Sequence, residues 1–213
     1  MQILPFLANF GSGSFISYLF LLQDRSYALK GWVLPISLLA EAKILSKGEL
    51  GFIDKFRNSL ETAGSYAEVY QIVKDTVEYS LSKRSGSMML FLDDLPLQLG
   101  AYHPIGTNNI VLNRDLVEIV EASISSRRVV NALVYNLLLH EYLHALGEYS
   151  EDKVRRMVIA VAQKCFGEEH TATVIAKKTP WVLLRNMPLE AINAPKRVMQ
   201  IVRDFEKTDK YIV

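Results

Sequence analysis

His140, Glu141 and His144 stand in the order His-Glu-x-x-His. On a helix, residues four apart share a face, so both imidazoles reach one point while the carboxylate between them projects to its side. Two imidazoles converging on a point make an incomplete zinc site, and the adjoining carboxylate is placed to act as a base toward water. The chemistry implied is hydrolysis. Two solvated histidines on a surface helix would have the same spacing without that chemistry, so the setting of the helix decides between the readings.

Catalytic zinc takes three protein ligands and keeps a position for water, so a third residue must join His140 and His144. Glu148 lies one turn further along the same face, but Gly147 is expected to end the helix before it. Glu151 falls in the first turn of the next expected helix, where it can swing back to the metal or merely complement the helix dipole. Glu168, Glu169 and His170 follow a helix of about 15 residues, which at ~1.5 Å per residue carries the chain roughly 22 Å away. Glu151 leads, and His170 is its main rival because imidazole is a common zinc ligand. Tyr142, Tyr149, His103 and His170 are the candidates to stabilise a developing oxyanion, and spacing does not choose among them.

The elements that must position these residues follow from periodicity. Residues 127–146 are apolar on nearly all sides, with Val129, Val130, Leu133, Val134, Leu137, Leu138, Leu139, Leu143 and Leu146, which predicts a helix buried in the core. Buried histidines and a buried glutamate need partners, and a metal supplies one. Ser125 or Ser126 is the expected N-cap, and Gly147 the stop. Ser150 caps a second helix with Glu151 and Asp152 in its first turn, running to Gly167. Upstream, residues 88–92 and 110–112 read as strands, with a short helix from Asn113 or Asp115 to Ala122. Residues 49–61 and 66–82 have apolar positions at helical spacing, 170–178 form a further helix, and 198–205 a last one.

In the N-terminal part, strands are expected at 2–7, 15–22 and 27–33, and a helix at 36–44. Residues 1–23 carry no charge. Pro5, Asn9 and the run Gly11-Ser12-Gly13-Ser14 interrupt the stretch, so a buried hairpin is favoured over membrane contact through residues 3–22. A secretory signal is poorly matched. The polar residues 83–87 are the expected boundary between an N-terminal unit, 1–84, and the motif-bearing part, 85–213. With 213 residues the chain can bury a core without staples, and its single Cys165 excludes an intramolecular disulfide and fits a cytoplasmic location. A net charge of +1 gives no field to collect nucleic acid.

The segment His140-Glu141-Tyr142-Leu143-His144-Ala145-Leu146-Gly147, preceded by the strand-like 109–113 and followed by Glu151-x-x-Val154-Arg155, resembles the zincin metallopeptidases. It is most similar to the gluzincins, and especially to the small archaeal minigluzincins. The resemblance covers roughly residues 88–166. It implies an α+β, zincin-like fold, a small twisted sheet whose upstream edge strand, here 109–113, holds peptide substrate, and one zinc ion on His140, His144 and Glu151. Glu141 is then the general base and acid, and the substrate is a peptide or protein. The interval from His144 to Glu151 is short for that family, and Arg155 stands where it commonly has an acidic or amide residue. In the related metzincins the third histidine would fall at Ser150. An alternative of another class is a latent or inactive zincin-fold interaction protein whose site is blocked by its own chain.

Overall fold

The computed structural model describes residues 47–184, 196–203 and 205. All belong to one compact unit, Leu45–Val213. The strands and helix expected between residues 2 and 44, and the segment 3–22 weighed for membrane contact, lie outside the described residues. In chain order the elements are α1 (Lys47–Thr62), α2 (Tyr66–Leu81), β1 (Met89–Asp93), β2 (Ala101–Tyr102), β3 (Asn109–Asn113), α3 (Arg114–Ser123), α4 (Arg127–Ala145), α5 (Glu151–Phe166), α6 (Thr171–Lys178), a 3-10 turn (Pro180–Leu184) and β4 (Gln200–Ile201). The fold is α+β, with six helices and a four-stranded sheet among the described residues.

The chain divides differently from the expectation. The 84/85 boundary falls inside the compact unit, because Phe56 and Leu60 of α1 and Val69, Val73 and Val77 of α2 share one core with Leu133 and Leu138 of α4 and Val161 and Phe166 of α5. Residues 83–87 are a polar connection between elements, and a surface loop has the same composition as a linker.

Helix α4 runs through the middle of that core. Nearly every residue from Asn131 to Leu143 is buried, and Asn131, Tyr135 and Asn136 each find a hydrogen-bond partner there. Asn131 Nδ2 donates to Leu60 and Ala63 O, Asn136 Nδ2 to Ala132 and Ala172 O, and the Tyr135 hydroxyl bonds that of Thr76 at 2.9 Å. Ser126 sits at the N-cap without a side-chain cap bond, while Arg127 ties the start of α4 to the carbonyls of Ala63 and Gly64.

The sheet order is β2-β3-β1-β4. β1 and β3 are parallel, Leu90 opposite Ile110, whereas β2 runs antiparallel to β3 with Ala101 opposite Leu112. Strand β3 was the expected substrate-holding edge, and here it is interior: both its flanks are paired and four of its five residues are buried. The edge on this side is β2, too short to register as a periodic pattern. Gly100 lets β2 approach α4, since a Cβ there would lie 2.5 Å from Leu137 Cδ2. Asn113 organises the loop that returns to it, donating from Nδ2 to Leu95, Pro96 and Leu99 O while its Oδ1 caps α3 at Leu116 N.

The last expected helix is replaced by β4, which pairs antiparallel with β1, Phe91 opposite Ile201. Val198, Met199 and Ile201 are all exposed while Phe205 is buried, so the apolar positions that suggested a helix do not share one buried face. Arg197 and Arg114 hold the segment extended instead. Arg197 reaches Asp94, Asp115 and Glu118, and Arg114 joins Asp94 Oδ1 at 2.7 Å to Val198 O. No helix among the described residues is long and apolar enough to cross a membrane.

Candidate metal centre

His140 and His144 leave α4 one turn apart near its C-terminus, and their Nε2 atoms lie 3.2 Å from each other. Glu151, in the first turn of α5, closes a triangle with them: Oε2 is 3.2 Å from His140 Nε2 and Oε1 is 3.1 Å from His144 Nε2. The reversal between the helices makes this possible. Gly147 takes φ +91, open to glycine at little cost, and its N–H donates to His144 O at 2.9 Å. Three residues on, Ser150 caps α5 by accepting from Lys153 N.

The same reversal brings Glu148 O to His144 Nδ1 at 2.7 Å. A carbonyl can only accept, so Nδ1 carries the proton and Nε2 presents its lone pair to the triangle. Burial holds the His140 imidazole below its ordinary proton affinity, although Glu151 opposes that shift. Two ring nitrogens turned toward each other and one carboxylate form a donor set for a cation. With ligand bonds of ~2.0–2.1 Å and tetrahedral angles, zinc would hold its donors roughly 3.3 Å apart, close to the observed sides. The residues fit the ion.

Glu141 is buried beside the triangle. Burial, reinforced by the charge of Glu151, pushes its carboxyl up to about 7, and a hydrogen bond from the His103 backbone N–H holds it back in part. A carboxyl poised near neutrality is suited to taking up a proton and giving it back. That backbone contact comes from the end of β2, which the sequence did not reveal; Gly100, where a backbone must come close, was the available signal.

A cavity of about 510 Å³ opens over these groups. Its walls come from the β2 region (Leu99, Ala101, His103), α4 (Asn136, Leu137), α5 (Arg155, Val158) and the end of α6 (Ala176). Asn113 N–H donates to Gly100 O, so by the alternation of an antiparallel ladder Tyr102 also bonds β3, while Ala101 and His103 turn their backbone groups outward.

The other candidates are placed elsewhere. The Glu148 carboxylate pairs with Lys153, and only its carbonyl reaches the site. Glu168 pairs with Lys177 and Gln163 beyond the far end of α5. His170 caps α6 by accepting from Ala172 N, stacks on Phe166 and faces Glu61. Of the residues considered for an oxyanion, Tyr149 and His103 line the cavity. Tyr142 points into the core, where its hydroxyl accepts from Ser85 N. No protein-family model, no curated protein and no solved structure matches this chain, so its assignment rests on the geometry of the centre itself.

Proposed function

We propose that this chain is a zinc-dependent peptidase of zincin-like fold, acting in the cytoplasm on peptide or protein substrates. The observation that carries the reading is the triangle of His140 Nε2, His144 Nε2 and the Glu151 carboxylate, with sides of 3.1–3.2 Å and the buried Glu141 beside it. A zinc ion held there supplies Lewis acidity, which acidifies water and polarises a carbonyl. Glu141 takes the proton of the attacking water and returns it to the leaving amine. Glu148 O keeps the His144 proton on Nδ1, which leaves Nε2 free to face the ion. The outward backbone groups of Ala101 offer an extended peptide a place to pair, while the His103 N–H is engaged by Glu141. A fully buried Cys165, bonded to Ser80, accords with a reducing compartment.

The test has two parts. Titration of the full chain with zinc against a chromophoric chelator is expected to give one tight site, weakened by more than about 100-fold in Glu151→Gln, since even outer-shell changes cost 10–100-fold. The zinc-loaded chain is expected to cleave unfolded casein, and Glu141→Gln to bind zinc normally and lose cleavage by at least about 100-fold. Cleavage that survives Glu141→Gln would overturn the mechanism.

A further inference from the structure

One face of α5 looks into the cavity: Glu151, Arg155 and Val158 all line it, about a turn apart. Glu151 is committed to His140 and His144, and Val158 is buried alongside the apolar Leu137 and Ala176. Arg155 lies between them, exposed, with no hydrogen bond or ion pair among the described residues. It is the only lysine or arginine among the described residues lining this cavity. The charged and titratable groups it shares the cavity with are Tyr102, His103, His140, Glu141, His144, Tyr149 and Glu151. A divalent ion would be offset by the two carboxylates, leaving the guanidinium as the excess positive charge of the cleft.

We propose that Arg155 is a substrate-recognition residue, receiving a carboxylate that the peptide carries within one residue of the bond to be cut. The carboxylate is either the free C-terminus of the peptide or an acidic side chain. This rests on the zinc-peptidase reading and adds a substrate class to it. The spacing suits it: Arg155 is four residues beyond Glu151, a rise of about 6 Å, and successive peptide units repeat every ~3.8 Å. The long arginine stem spans the difference, and its planar fork matches a carboxylate with two parallel bonds.

The experiment is calorimetric binding to the zinc-loaded full chain carrying Glu141→Gln, with three related peptides: a free C-terminal acid, its amide, and that amide with its last residue replaced by glutamate. At least one carboxylate-bearing peptide is expected to bind about tenfold tighter than the neutral amide, the value of one good charge-assisted contact. Which of the two gains identifies the source. Adding Arg155→Ala is expected to bring the three within about twofold without weakening zinc binding, and Arg155→Lys to retain part of the preference. Equal affinities in the parent, or a preference that survives Arg155→Ala, would overturn the proposal while zinc binding stands. Failure to bind zinc at all would remove the peptidase reading and this role with it.

Discussion

Glu141 bears two demands that pull in opposite directions. Its carboxylate is buried and close to Glu151, which is why it titrates near 7 instead of in the usual range. A raised folded-state pKa means that the native chain holds a proton which the unfolded chain has released above about 4.5. Stability of the metal-free protein is therefore lost as pH rises from that value through 7. Replacing Glu141 by Gln removes the term, so Glu141→Gln is expected to stabilise the metal-free chain at pH 8 by up to about 3 kcal/mol and to do little at pH 4. Urea melts at the two pH values check it; an equal gain at both would contradict the account. The residue that would perform the chemistry is thus one the bare fold tolerates poorly, and a cation nearby relieves it.

Between residue and fold stands the reversal joining α4 to α5. Gly147→Ala forces a side chain into a left-handed backbone and is expected to cost about 1–2 kcal/mol in thermal or urea unfolding. It also moves Glu148 O away from His144 Nδ1, so zinc affinity is expected to fall by about tenfold, a loss that a chelator competition reads apart from stability. This element was legible beforehand: the apolar wrap of α4, the glycine stop and the serine cap with acidic residues behind it all follow from local rules. So did the pairing of His140 with His144. What stayed hidden depended on contacts distant in sequence. Two-residue strands such as β2 and β4 carry no periodicity, so their partners alone define them. The His103 N–H that reaches Glu141 and the cavity wall from α6 are likewise products of packing. The division at 84/85 failed because polarity marks a surface connection equally well whether a domain or a helix lies on either side.

At the scale of the whole molecule, the ionic knot of Asp94, Arg114 and Arg197 ties the C-terminal segment to the sheet. The Arg114 hydrogen bond, with those of the Arg197 N–H and guanidinium, holds the Asp94 carboxyl well below the usual carboxylate range. For a depressed folded-state pKa the stabilisation is complete above the unfolded value, near 4, and fades as pH falls below it. Asp94→Asn leaves Arg114 buried without its counter-charge and is expected to cost about 3–5 kcal/mol at pH 7. The difference from the parent should shrink between pH 4 and pH 2, read by unfolding at each pH. The knot also decides how the sheet meets its surroundings. A sheet of four strands has two margins, and a bare margin recruits any extended chain, including another copy of itself. Here β4 covers β1 over two residues and is itself one margin, whereas the other margin, β2, runs along the cavity wall. Loosening Arg197 would thus cost more than local order: it would give the molecule a second, unproductive place to take up extended polypeptide, remote from His140, Glu141 and His144, and self-association would compete with capture at the centre.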